Sequence, residues 1–234
     1  LSQGQLLSHT VTENRIVDLV KWAKMFLWIP TKEDVGDFKR LCYDFYHTKT
    51  QKRIEKYLKD SGETDGETII NGVTVPSCKE LLSRVNWDNL CASNPTKFHG
   101  DFILDNILYD SGNFVLLDWR QDFAGSKTSG DKYYDLAKLN HNLIFNHDIV
   151  STGGFTVSDG QPGIICDLRV SYHLSSCRDA LLKHLDNSGY DTEKVRLLTP
   201  IIWLNMSPLH TYPLSRFLFY FGKYHLWREL CKQK

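Results

Sequence analysis

Three oxygen-bearing side chains and a histidine fall close together near the middle of this chain: His99, Asp101, Asn106 and, beyond a short turn, Asp118. Between them run two apolar stretches, Ile107-Leu108-Tyr109 and Phe114 to Leu117, separated by Asp110-Ser111-Gly112-Asn113. Apolar runs on either side of a turn cluster predict a β-hairpin. Antiparallel pairing sets the start of one strand beside the end of the other. Asp101 and Asn106 at the entry and Asp118 at the exit can therefore converge on one volume. An amide oxygen and a carboxylate suit Mg²⁺, which takes an octahedral oxygen shell and usually shares it with phosphates. With Asn106 and Asp118 in that role, Asp101 is left to orient an attacking hydroxyl and accept its proton, a division of labour suited to phosphoryl transfer.

His99-Gly100-Asp101, Asn106, Leu117-Asp118-Trp119 and the later Gly130-Asp131-Lys132-Tyr133-Tyr134-Asp135-Leu136-Ala137 resemble the aminoglycoside phosphotransferase and choline kinase family. The resemblance implies a protein-kinase-like fold that phosphorylates small-molecule alcohols with ATP and Mg²⁺. It implies Asp101 as catalytic base, Asn106 and Asp118 as metal ligands, and His99, with Gly100, as a brace of the loop. For Asp135 it implies bonds to backbone groups near that loop. The residues alone read Asp135 equally as part of an acidic helix start, favourable beside the positive end of the dipole. Arg120 reads either as a phosphate or acceptor contact or as a structural salt-bridge partner. Treating Asp101 and Asp118 as ordinary turn residues would explain neither Asn106 nor the downstream motif.

The elements that must position these groups are mostly helical. Thr10-Val-Thr-Glu13 fits a capping box, followed by Ile16, Leu19, Val20, Ala23 and Leu27 at helical spacing up to Pro30. Thr31 to Asp34 caps a second helix, expected to run with a break to Leu58, and the Lys- and Arg-rich stretch from Lys49 reads as its solvated face. Ile69 to Val75 around Asn71-Gly72 predicts a second hairpin, an insertion near the substrate, and Ser77 to Glu80 caps another helix. Helices are expected over 131–145, 167–185, 192–206 and 208–230, with a short strand at Phe155-Thr-Val157. The last helix is rich in aromatics and reads as core. Trp203, Tyr212 and Trp227 are nonetheless candidates for an acceptor pocket, the aromatic box that a quaternary ammonium needs.

Composition narrows the class. The chain has 234 residues, 41% hydrophobic and 24% charged, with 28 basic and 28 acidic residues. That balance offers no field for nucleic acid or a membrane surface. No apolar run approaches the roughly 18 residues of a membrane span. Cys42, Cys78, Cys91, Cys166, Cys177 and Cys231 are scattered without a Cys-x-x-Cys pair and read as reduced, mostly buried thiols of a cytoplasmic protein. His141 and His147 lack a companion at ligand spacing, and Gly153-Gly154 lacks the Lys-Ser of a phosphate loop.

The reading is thus a mainly α fold with small β-hairpins (α+β), the C-terminal large lobe of a protein-kinase-like fold. It spans 1–234 as one domain: a helical lead-in over 1–97, catalytic and metal loops over 98–137, and a helical acceptor-side region over 138–234. A Gly-rich phosphate loop and a strand lysine are not found in the residues before His99. Together with Leu1 in place of a start methionine, this leads to the expectation of a fragment of a longer kinase, with the nucleotide-binding lobe in the same or another chain. The expected substrate is a small-molecule alcohol: choline-like, sugar or aminoglycoside. A catalytically inactive binding or scaffold domain on the same lobe is the alternative.

Overall fold

A computed structural model of the chain describes residues 4–233, mostly helical with two small sheets. The chain divides into two compact units. The first comprises Leu1–Cys42, Ala92–Ile144 and Val170–Val195, the second Tyr43–Cys91, Phe145–Arg169 and Arg196–Lys234.

In the first unit, strand Ile107–Asp110 lies between Gln5–Leu6 and Asn113–Leu116, antiparallel to both. Asp110 pairs with Asn113, leaving Ser111 (φ 49°) and Gly112 (φ 94°) as the central turn residues. Positive φ at both is the turn whose twist matches that of the flanking strands. Helix Glu13–Phe26 is capped by Thr12, which accepts from the Arg15 N–H at 3.3 Å. The capping box expected from Thr10 does not form, because Thr10 ends a separate short helix, Leu7–Thr10, and its hydroxyl donates back to the Leu6 carbonyl.

The apolar face of helix Glu13–Phe26 meets helix Tyr172–Asn187, and Ile16, Leu19 and Val20 share one buried cluster with Cys177, Leu181 and Leu185. Phe102, Ile107, Phe114, Leu136 and Leu139 belong to the same cluster, so the hairpin and helix Lys132–Asn142 rest on it. Each such side chain contributes about 1.5–3 kcal/mol when fully buried. The helix expected from residue 167 begins at Tyr172 after a Ser171 cap, because Leu168 ends a strand, Ile164–Leu168.

The second unit carries a four-stranded sheet in the order Val73–Val75, Thr68–Ile70, Ile164–Leu168, Phe155–Asp159. Asn71 (φ 50°) and Gly72 (φ 80°) turn the predicted hairpin. The Asn71 side chain also continues the sheet, exchanging hydrogen bonds with the Cys166 backbone at 2.8 and 2.9 Å. The second predicted helix is continuous through a π-helical turn: Val35–Tyr43, then Asp44–Thr48, then Lys49–Ser61. Lys52, Lys56 and Lys59 on the last piece face solvent. Helix Leu214–Lys232 buries Phe217, Phe219, Tyr220 and Phe221 in the core, with Phe219 stacked on Tyr57 at 4.4 Å, while Tyr224 and Trp227 are half-buried.

That helix also buries a charge. Lys223 is 0% exposed; its Nζ donates to the Gly66 carbonyl at 2.6 Å and to Thr68 Oγ1 at 3.3 Å, with Asp65 Oδ1 at 3.9 Å. Asp65 in turn accepts from the Cys78 and Lys79 N–H groups at the start of helix Cys78–Arg84, which Ser77 caps. The lysine therefore fastens the loop before the hairpin, as a substitute for backbone pairing. Replacing Lys223 by Met should remove both of its hydrogen bonds to this loop, leaving the Gly66 carbonyl to the Thr68 hydroxyl at 3.1 Å, and cost on the order of 1–3 kcal/mol. Chemical denaturation measures this, and a variant as stable as the parent would remove the lysine from its structural role.

Candidate functional site

The loop from Phe98 to Asn106 hangs on one buried carboxylate. Asp135, 0% exposed, accepts the His99 N–H at 2.8 Å, the Gly100 N–H at 2.7 Å and the Trp28 indole N–H at 3.0 Å. The cap of its helix is Asp131, which accepts from the Tyr133 N–H, so Asp135 acts as a brace from the first turn. Burial pushes the Asp135 pKa up to about 6, against the pull of the three N–H donors toward the anion. Gly100 sits at φ 83°, and a Cβ there would overlap the Arg120 side chain and the Phe98 ring. Glycine is required both for the backbone conformation and for the space.

His99 joins the loop to the hairpin. It is 0% exposed; Nδ1 accepts the Asp101 N–H at 3.2 Å, so Nε2 carries the proton and donates to the Leu117 carbonyl at 2.7 Å. Burial lowers the His99 pKa and keeps the ring neutral, in the tautomer these two bonds need. The Leu117 N–H is bound to the Asn106 carbonyl at 2.8 Å and the Arg120 N–H to the His99 carbonyl at 3.0 Å. Asp118 lies between those anchors, exposed, with φ 54°. Asp tolerates this left-handed conformation better than most residues, and the flanking bonds hold it there.

Asp101 is gripped at both oxygens. Lys138 Nζ lies 2.7 Å from Oδ1, and Asn106 Nδ2 donates to Oδ2 at 2.9 Å and to the Asp101 carbonyl at 3.0 Å. Two acceptors identify the Asn106 NH₂ side, which leaves its Oδ1 as the atom able to ligate a cation. Burial works to raise the Asp101 pKa, but Lys138, Asn106 and Arg120 outweigh it and hold the carboxyl below its ordinary value. The Arg120 Nε donates to the Gly100 carbonyl at 3.2 Å, a bond that supports the loop.

Lys138 escaped sequence reading. The signal was its place one turn after Asp135, where positions three apart share a helix face. The Ser- and Gly-containing segment at 125–130, after the hairpin, is tied down as well: Phe123 and Ser126 exchange backbone bonds at 2.8 and 3.0 Å, and Ser126 Oγ donates to Glu33 at 3.0 Å.

The proposed aromatic box does not assemble. Trp203 is 1% exposed, packed on Phe221 at 4.6 Å, and Trp227 lies beside Tyr224 at 6.0 Å. Tyr212 is 71% exposed and lines a cavity of about 520 Å³ in the second unit with Tyr57, Glu63, Asp159, His210 and Arg216. A tryptophan buried in the core has no face to offer a ligand. Arg216 in that cavity is paired with Glu63 and Asp159, each at 2.7 Å. Among the described residues no group of three or more His, Cys, Asp or Glu is placed to hold a metal ion. No described helix is long and apolar enough to cross a membrane. Among the cysteines Cys231 is exposed, and the other five are buried thiols without disulfides.

No family model matches the chain, and no curated protein matches it. Among solved structures, a chain described as glucosamine kinase (crystal form B) is similar with a TM-score of 0.48 and 13% identity, over 98% of this chain and 56% of that one. This chain therefore spans little more than half the length of that structure.

Replacing Asp135 by Asn turns an NH₂ group toward an N–H donor that the carboxylate now accepts, at a cost on the order of 1–3 kcal/mol. The sign with pH follows from the raised pKa. The unfolded group ionises near 3.8 and the folded one at about 6, so the contribution of Asp135 is full below the lower value and declines as pH rises to the upper. Urea denaturation of parent and Asp135→Asn from pH 4 to 7 should show their difference shrinking up to about pH 6 and level beyond it. A difference that grows with pH would refute the raised pKa.

Proposed function

We propose that this chain is part of a phosphotransferase that moves the terminal phosphoryl group of ATP to a hydroxyl of a small molecule, with Mg²⁺. The reading places it in the aminoglycoside phosphotransferase and choline kinase family, as a large lobe of protein-kinase-like fold. The observation that carries it is the joint geometry of Asp101, Asn106 and Asp118. Asn106 turns its NH₂ toward Asp101 and keeps its oxygen for a ligand, while His99 ties the Asp101 loop to the residue before Asp118.

The donor set fits the cation. An amide oxygen and a carboxylate are hard ligands, too few to fill an octahedron, and phosphates and water supply the remainder in sites of this kind. Asn106 and Asp118 would hold Mg²⁺, which when bound neutralises charge on the phosphates. Asp101 receives the acceptor hydroxyl, orients it in line with the phosphorus and takes up its proton as the bond forms. His99 stays neutral and keeps the loop in register. A nucleotide-gripping lobe, in the same or another chain, would complete the phosphate clamp; the acceptor class is a choline-like amine, a sugar or an aminoglycoside.

The test is transfer of labelled phosphate from ATP to a panel of those acceptors, using the full natural protein that contains this chain. Asp101→Asn should lower kcat at least about a thousandfold, within the range for a lost general base. Asn106→Ala and Asp118→Asn should raise the Mg²⁺ concentration needed for half-maximal rate. Undiminished transfer by Asp101→Asn would exclude the mechanism.

A further inference from the structure

We propose that Lys138 is a positioning residue for that transfer: with Asn106 it grips opposite oxygens of Asp101 and holds the carboxylate in the orientation that receives the acceptor hydroxyl. The inference rests on the phosphotransferase reading and adds a residue to it. Lys138 Nζ to Oδ1 is 2.7 Å and Asn106 Nδ2 to Oδ2 is 2.9 Å. Each carboxylate oxygen has two lone-pair sites, so a grip on each still leaves room for the hydroxyl.

Burial makes this pair more than a surface contact. The Lys138 side chain is 10% exposed and that of Asp101 32%, so the ammonium stands largely out of water with the carboxylate as its partner. An ammonium in that position is costly unless paired, and replacing a buried ion pair by apolar residues is often neutral or stabilising. Stability alone gives no reason for a lysine here. The helix also divides the work by position. Asp135 fixes the loop backbone through His99 and Gly100, and one turn later Lys138 fixes the side chain that the loop presents.

In the step itself, the acceptor oxygen bonds to phosphorus while the bond to the leaving nucleoside diphosphate breaks, its electron pair departing with that group. The acceptor proton passes through Asp101 to water, and Asp101 returns to its anionic form. Lys138 contributes orientation, so its loss belongs in kcat and not in nucleotide binding.

Lys138→Met, Lys138→Arg, Asp101→Asn and the double variant Asp101→Asn/Lys138→Met test this, assayed in the full protein with ATP and Mg²⁺, beside crystal structures of parent and Lys138→Met. Lys138→Met should lose about 100-fold in kcat, as a misplaced catalytic group does, with KM for ATP unchanged. Lys138→Arg should recover most of the loss, and the Asp101 carboxylate should be turned from its parental orientation in the Lys138→Met crystals. In the Asp101→Asn background Lys138→Met should add nothing, because it acts through the group already removed. A Lys138→Met protein that melts lower yet keeps kcat, a multiplicative loss in the double variant, or an unmoved Asp101 overturns the proposal. If the parent transfers phosphate to no acceptor, the phosphotransferase reading falls, and the crystallographic orientation of Asp101 still decides whether Lys138 positions it.

Discussion

The buried carboxylate of Asp135 is the constraint on which the rest of the site depends. A loop that doubles back around a left-handed glycine exposes backbone N–H groups that neighbouring strands cannot reach, and a buried donor without a partner costs as much as a lost hydrogen bond. Asp135 accepts two of them, from His99 and Gly100, and the Trp28 indole as well. Trp28 in turn packs edge-on against Phe102 at 5.9 Å. The loop that carries Asp101 is thereby fixed to a helix and to the core at once.

From that anchor the order passes to the hairpin through a single ring. His99 binds the Asp101 N–H on one side and the Leu117 carbonyl on the other. Only a neutral imidazole offers one acceptor and one donor in this way, and burial keeps it neutral. The distance in sequence between Asp101 and Asp118 is thus bridged by a side chain, and the exposed Asp118 inherits a position set by buried neighbours. Polar groups held in this manner undergo little reorganisation when charge develops beside them, which is where preorganised sites gain most.

Much of this was legible in the chain. The turn cluster Asp110 to Asn113 between two apolar runs, and Asn71-Gly72, announced both hairpins, and the apolar spacing of Ile16, Leu19, Val20 and Ala23 marked the first helix. Asp101, Asn106 and Asp118 stood out because their residue types and spacing already imply a shared chemistry. Local pattern misled where two short elements meet: Thr10 looked like a cap, but Thr12 starts the helix, and Leu168 looked helical, but it ends a strand. The aromatic box failed for a related reason. Residue type shows that Trp203 can meet a cation, while only packing shows that it is 1% exposed.

What the sequence determined by itself is the set of groups near residues 98 to 118 and the hairpin that carries them, because turn preference and alternation act over a few residues. The tertiary structure decided what each group is bonded to. Asp135 as brace in place of cap, Arg120 as a support of Gly100 and Lys138 on Asp101 depend on contacts between residues 20 to 37 positions apart. Neither propensity nor spacing reaches so far; such contacts exist only once apolar burial has brought helix Lys132–Asn142 and the loop onto the same core.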